Sequence, residues 1–371
     1  MLKINAKKFL EILKPVKFLL PNDTLCALKQ VGNFLIFNVI EPSFYFSAKV
    51  DVLDGELGEG VFVTKTDNLF KLLRLFDDVK IKETDGSLVF SQNRRKYSLK
   101  LEESENSFFC YEIPAHKKKA ILENKKIAVA LQHIFIDEKE GNYGPDKYIW
   151  IKDGFMYSSY KPVVIHSVVK IPTETDSSVF DDKFLTIYGN YAKLISQVKE
   201  NFDVFDSFED DNLIYHFYNN NYYLRVSGIR QFEDSDYLES INDFTSKYEE
   251  SEQFISFEPF NVKYGVNNIG NYFKDANEYG INIRKKDEKL WIVNPSQSDG
   301  YGHEEYVVND YSKIDEISMN VDKETFSKVL SCCGDDIGEW RVLIKEDDDG
   351  KFCYNFIKTD NILQGFGSYI I

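Results

Sequence analysis

At 371 residues, with 43% hydrophobic and 15% aromatic residues, the chain has enough apolar mass for packed cores and is too long for one ordinary domain. That composition excludes wholesale disorder despite a formal net charge of −16, and no run approaches the roughly 18 apolar residues of a membrane span. Five cysteines (Cys26, Cys110, Cys332, Cys333, Cys353), odd in number and without Cys-x-x-Cys spacing, predict together with the absence of an apolar leader a reducing, cytoplasmic setting.

In chain order, residues 5–18 place Phe9, Leu10, Leu13 and Val16 at helical spacing with Lys7, Lys8, Lys14 and Lys17 off that stripe, which predicts an amphipathic helix bent or ended near Pro15. Residues 65–76 repeat the design. Thr66 or Asp67 is the expected N-cap, Leu69, Phe70, Leu72, Leu73 and Phe76 form the buried stripe, and Lys71 and Arg74 stay exposed. Next come three short alternating runs broken at Asp85-Gly86 and at Asn93, which reads as a meander of hairpins. Segments 117–130, 190–200 and 321–331 restate the helix, the last two each leading into a strand, a polar turn and a strand. A weaker helix near 260–273, interrupted by Gly265 and Gly270, makes a sixth. Six units of helix plus meander predict an α+β chain of three similar domains, 1–115, 116–245 and 246–371, with boundaries near 114–117 and in the polar, acidic stretch 242–252.

Positive charge is not spread evenly over this acidic chain. Segments 5–18, 65–76, 117–130, 190–200 and 321–331 carry +10 between them, which leaves −26 for everything else. Phosphate contact is made by Lys and Arg, so basic helices in an acidic shell predict one surface for a nucleic-acid backbone and repulsion elsewhere. The expected backbone-facing residues are Lys7, Lys8, Lys14, Lys71, Arg74, Lys125, Lys126 and Lys193, joined by Asn142, Tyr143 and Lys147 of the loop EGNYGPDK.

No catalytic motif accompanies them. The five histidines lack metal-ligand spacing, no Gly-rich phosphate loop or nucleophile elbow occurs, and EDDDGK at 346–351 lacks the remaining ligands of a calcium loop and reads as a hairpin turn. The sequence therefore predicts no enzyme, no cofactor and no metal. Two other classes stay open. An acidic DNA mimic would array carboxylates on one face and disperse its lysines, and a β-rich assembly protein would account for the aromatics but not for the repeated basic helix.

The opening MLKINAKKFLEILKPV, the stretch VTKTDNLFKLLRLFDDVKIKETDGSLVFSQNRRKYSLKL, the segment GIRQFEDSDYLESI and the terminal SYII together resemble, in order and over the whole length, a bacterial-type DNA polymerase sliding clamp. The resemblance implies the DNA-clamp fold and a two-chain ring around double-stranded DNA, with helices lining the pore and sheets outside. It also implies that the polymerase and the clamp loader bind through short peptides. Those peptides would take a groove formed by Tyr160, Pro162, Val163, Val164 and Ile165, with Ser240 and Ile241 from the interdomain linker and Ile370 from the last strand. Here the chain departs from the family, carrying Pro162-Val163-Val164 where the family has Gly-His-Arg. For ring closure, Phe108 and Phe109 resemble an aromatic plug, with Ile269, Tyr272 and Phe273 as the facing surface.

Overall fold

The computed structural model describes residues 1–103, 120–136, 147–152, 154–160, 165–171, 185–209, 212–228, 234–252, 254–273, 280–286, 288–294, 302–307, 310–311, 316–347 and 350–370. Among them are α1 Ala6–Lys17, α2 Thr66–Leu73, α3 Asn124–Leu131, α4 Gly189–Gln197, α5 Asp234–Glu250, α6 Pro259–Tyr272 and α7 Lys323–Cys333. Each helix except α5 follows directly on a short strand, so the predicted repeat holds with a strand added at its front. No helix among the described residues is long and apolar enough to cross a membrane.

The chain divides into two compact units, Met1–Lys125 with Lys193–Arg230, and Lys126–Ala192 with Gln231–Ile371. In the first, an antiparallel path runs from Arg95–Lys100 through Ser87–Gln92, Asp78–Thr84 and Leu2–Asn5 to Phe44–Asp54, then on to Tyr222–Ser227, Asn212–Tyr218, Phe202–Glu209 and Ala120–Leu122. The joint between early and late strands is the ladder Tyr222↔Ala48, Leu224↔Phe46 and Val226↔Phe44. The hairpin expected at Asp85-Gly86 is present. Both residues have positive φ, 40° and 73°, the geometry of a two-residue turn that matches strand twist, and Asn93 turns the next hairpin at φ 54°.

Phe37 is the hub of this unit's core. It meets Phe9 of α1 at 6.4 Å, Phe70 of α2 at 6.3 Å and Phe46 of the neighbouring strand at 6.4 Å, so both helices rest on one sheet face. Helix α1 continues through Pro15 to Lys17. Pro15 falls in the last turn, where losing one backbone bond is tolerated, and its ring is buried with Phe9, Ile12, Leu13 and Val16.

The second unit's path runs from Leu185–Tyr188 through Tyr148–Lys152, Phe155–Tyr160 and Ile165–Lys170 to Ile362–Ile370, then Glu316–Val321, Ile281–Lys286, Lys289–Val293 and His303–Val307. Its hub is Trp340, which meets Phe257, Phe326 of α7 and Phe366 at 5.6, 5.4 and 6.2 Å and donates its indole N–H to Asn355 Oδ1 at 3.1 Å. The two glycines that weakened the sixth helix in the sequence have a packing reason. A Cβ at Gly265 would lie 2.2 Å from Tyr306 Oη, so α6 meets Tyr306 closely where it lacks a side chain, and one at Gly270 would lie 2.0 Å from Lys323 Cε, the movable end of a flexible side chain. EDDDGK joins Gly338–Asp347 to Gly350–Thr359, paired down to Asp347↔Gly350.

The stretch 242–252 lies mostly within a helix, since α5 runs to Glu250. It lies on the sheet face opposite Trp340, its Phe244 packing on Phe356, whose ladder partner Arg341 is the next residue along from Trp340.

Asn124, fully buried at the first residue of α3, holds the end of α4. Its Nδ2 donates to the carbonyl oxygens of Ile195, Val198 and Glu200 at 3.1, 3.2 and 2.7 Å. Asn124→Ala leaves those carbonyls without their donor and is expected to cost about 2–3 kcal/mol, read as a lower urea midpoint at unchanged slope. Asn124→Asp should cost more, since it aims a carboxylate at three carbonyl oxygens. A midpoint unaltered in both variants would contradict this capping role.

Candidate nucleic-acid interface

The six short helices carry eleven lysines against three acidic residues, Glu11, Asp67 and Glu324, whereas α5 carries six acidic residues and one lysine. Local structure explains why those lysines stay outside. In α1 the N-cap Asn5 accepts from the Lys8 amide at 2.7 Å, fixing the phase that buries Phe9, Leu13 and Val16 and leaves Lys7, Lys8, Lys14 and Lys17 exposed. In α2 the expected caps, Thr66 and Asp67, are instead the first helical residues. Thr66 is buried and donates its hydroxyl to the Thr24 carbonyl at 2.7 Å, so the helix start is pinned to the residue just before the strand Leu25–Val31 rather than capped from within. Leu69, Phe70, Leu72, Leu73 and Phe76 are buried as expected, and Lys71 and Arg74 are exposed.

The predicted cations fall into three groups. Lys7 pairs with Asp77, Lys8 with Asp51 and Lys71 with Asp67, each at 2.5 Å. The hydrogen bond between Lys7 and Asp77 holds that carboxyl below its ordinary range and raises the Lys7 ammonium. Such exposed pairs are weak and exchange readily with other anions. Lys14, Arg74 and Lys125 are exposed and, among the described residues, held in no ion pair. Lys126 and Lys193 are half-buried. Lys147 does not belong with them. It is only 4% exposed, placed just before the strand Tyr148–Lys152, and cannot present its charge to a nucleic acid. Asn142 and Tyr143 lie outside the described residues.

Of the expected groove, Tyr160 and Ile165 face each other as register partners at the ends of Phe155–Tyr160 and Ile165–Lys170. The second of these strands pairs with Ile362–Ile370, at whose end Ile370 pairs with Met319. That joint is tied by Ser167 Oγ on Gln364 Oε1 at 2.5 Å and Gln364 Nε2 on the His133 carbonyl at 2.7 Å. Pro162, Val163 and Val164 lie outside the described residues. Ser240 and Ile241 lie in α5, along which the apolar spacing Tyr237, Ile241, Phe244, Tyr248 is helical. That spacing is the signal by which α5 could have been found, beneath the acidity that suggested a domain boundary.

For ring closure, Phe108 and Phe109 lie outside the described residues. Ile269 is 4% exposed and packs with Val262 and Val266 in the core, one helical face below the surface, so it is not free to meet another chain. Phe273 is half-buried against the same core, and Tyr272 is 85% exposed.

Among the described residues no group of three or more His, Cys, Asp or Glu could hold a metal ion. Cys26, Cys332, Cys333 and Cys353 are buried, and burial raises all four thiols, Cys332 and Cys353 to about 12, which suits structural rather than nucleophilic sulfur.

No model of a protein family matches the chain, and no curated protein does. Solved structures do. The chain is similar to the DNA polymerase III beta chain of Streptococcus pneumoniae, with a TM-score of 0.77 at 14% identity over 100% of both chains. It is similar also to the DNA polymerase III subunit beta of Pseudomonas aeruginosa, at 0.73 and 11% over 100% of this chain and 99% of that one. A third is the Helicobacter pylori beta clamp bound to a DNA ligase peptide, at 0.69 and 11% over 99% of each. Matched over essentially the full length of each at these TM-scores, the chain has the fold of bacterial DNA polymerase sliding clamps.

Proposed function

We propose that the chain is a non-catalytic sliding clamp, a ring that encircles double-stranded DNA without regard to sequence and tethers the replicative polymerase. The observation that carries this reading is the eleven lysines against three acidic residues on six short helices of a chain whose net charge is −16. Lysines on a helical lining meet phosphates directly or through water and read no bases, which lets a ring slide. An acidic DNA mimic would need the opposite distribution. The foremost contacts are Lys14, Arg74 and Lys125, with Lys7, Lys8 and Lys71 released from their carboxylates as DNA approaches and the half-buried Lys126 and Lys193 as further contacts.

Three domains of two helices each, α1 with α2, α3 with α4 and α6 with α7, fit the helix starts at residues 6, 66, 124, 189, 259 and 323. Ring closure joins two copies through their sheet edges. Arg95–Lys100 ends one sheet path and His303–Val307 ends the other, and among the described residues no further strand is paired on their outer sides. The first edge carries Arg95, Lys96 and Lys100, and the second carries Glu304 and Glu305, a complementary pair for antiparallel addition. Polymerase and loader would bind as short peptides beside Ile165–Lys170, and the working compartment is the cytoplasm, with the DNA.

Reversing charge at Lys14, Arg74 and Lys125 together should weaken retention on DNA. It should also flatten the plot of log affinity against log salt by about 0.9 per phosphate contact removed, with stability within about 0.5 kcal/mol. Unchanged retention and slope would remove the pore assignment.

In solution the mass should be near twice 43.2 kDa. Lys96→Glu with Lys100→Glu should give monomers, and adding Glu304→Lys with Glu305→Lys should restore the dimer. A monomeric unaltered chain, or a dimer indifferent to these reversals, would place closure elsewhere.

A further inference from the structure

Helix α6 differs from the other short helices in what it shows to solvent. Its single lysine, Lys263, is half-buried, and its outward side carries Phe260 and Tyr264, 58% and 64% exposed and one helical turn apart. Among the described helical side chains, no other helix exposes an aromatic ring. A third large apolar side chain lies beside these two. The register partners Phe257 and Gly338 bring the start of α6 against the segment that leaves α7, and a Cβ at Gly338 would lie 3.0 Å from Pro259 Cγ. Pro259 and Gly338 are buried, and the next residue out from each, Phe260 and Ile337, is exposed, Ile337 at 61%. Single exposed apolar residues are ordinary, whereas three gathered at one place mark a contact surface.

The rim of this patch is acidic. Helix α7 is closed by Gly334 at φ 72°, and Asp335 and Asp336 follow it, both exposed and, among the described residues, held in no ion pair. Adjacent carboxylates just past the C-terminal end of a helix repel each other and stand where its dipole disfavours anions, so they work against the local fold. Glu258, exposed at the N-cap of α6, adds a third carboxylate and accepts from Asn261 Nδ2. A nucleic-acid backbone is repelled here, in contrast to the lysine-bearing helices, while a Lys or Arg from another chain would relieve the repulsion.

We propose that the start of α6 and the end of α7 form a docking surface for a basic segment of another protein, which lays a Leu, Ile or Phe side chain on Phe260, Tyr264 and Ile337 and sets Lys or Arg beside Asp335 and Asp336. The exposed apolar side chains supply the anchor site, and the unpaired carboxylates select the charge. This surface is separate from the strand joint at Ile165–Lys170 expected to take polymerase and loader peptides, and its binding does not depend on the clamp reading.

The test selects phage displaying random short peptides on the unaltered full chain and measures the recovered peptides by fluorescence anisotropy on two variants. Phe260→Ser with Ile337→Ser removes apolar anchors, and Asp335→Asn with Asp336→Asn removes charge at nearly unchanged volume. All of these residues are exposed, so both variants should keep the urea midpoint of the unaltered chain. The recovered peptides should carry net positive charge around a Leu, Ile or Phe, and each variant should weaken their binding by at least about tenfold. High salt should weaken it as well. Recovery of no such peptide, or of peptides that bind both variants as tightly as the unaltered chain, overturns the proposal. So does a single-stranded oligothymidine probe whose binding is lost in Phe260→Ser with Ile337→Ser, since that would mark a base-stacking face instead. Neither duplex DNA nor polymerase enters these assays, so failure here is distinct from failure of the clamp reading.

Discussion

The antiparallel ladder is the constraint on which everything else depends. In one unit Phe44–Asp54 accepts Tyr222–Ser227, and in the other Ile165–Lys170 accepts Ile362–Ile370, so strands far apart in sequence become one continuous sheet within each unit. A sheet of this kind has two faces with different obligations. One face must be covered by apolar helices, as α1 and α2 cover Phe37 and α7 covers Trp340. Short amphipathic helices lying on a sheet necessarily turn their other side to solvent, and in this chain that side is lysine. Charge segregation is thus a consequence of how the core is built, and the candidate DNA surface needs no further element to create it.

The pairing of some lysines with nearby carboxylates sets a limit on the strength of that surface. Lys7 with Asp77, Lys8 with Asp51 and Lys71 with Asp67 are exposed contacts worth little each, so they keep the free surface from acting as a fixed positive field without locking the cations away. A ring that must move along DNA benefits from weak, interchangeable contacts. Tight, geometrically specific ones would hold it at one position.

Much of this was legible in the sequence, and the reasons are specific. Helical spacing of Phe9, Leu13 and Val16 and of Leu69, Phe70 and Leu73 is a local signal that tertiary packing reinforces, so α1 and α2 were readable, as was the Asp85-Gly86 turn. The cap of α2 was not, because Thr66 is recruited by Thr24, a contact between residues far apart in sequence that no local pattern encodes. Lys147 and Ile269 were misjudged for one reason. Residue type suggested an exposed cation and an interface apolar, but burial is decided by the neighbours each meets in the fold. The hardest element was α5, where helical spacing of Tyr237, Ile241, Phe244 and Tyr248 competed with an acidity typical of linkers. The decisive partner, Gly365, lies more than a hundred residues away, and its importance is the side chain it lacks.

The central claim is topological, and the most direct measurement is retention on DNA of different topology. The protein would be assembled with nicked circular duplex, washed in salt high enough to screen phosphate contacts, and assayed before and after a single cut that linearises the circle. The account predicts that the ring stays on the circle through the wash and slides off the linear product. Equal retention on both forms would mean binding by contact rather than by encirclement, and would contradict it.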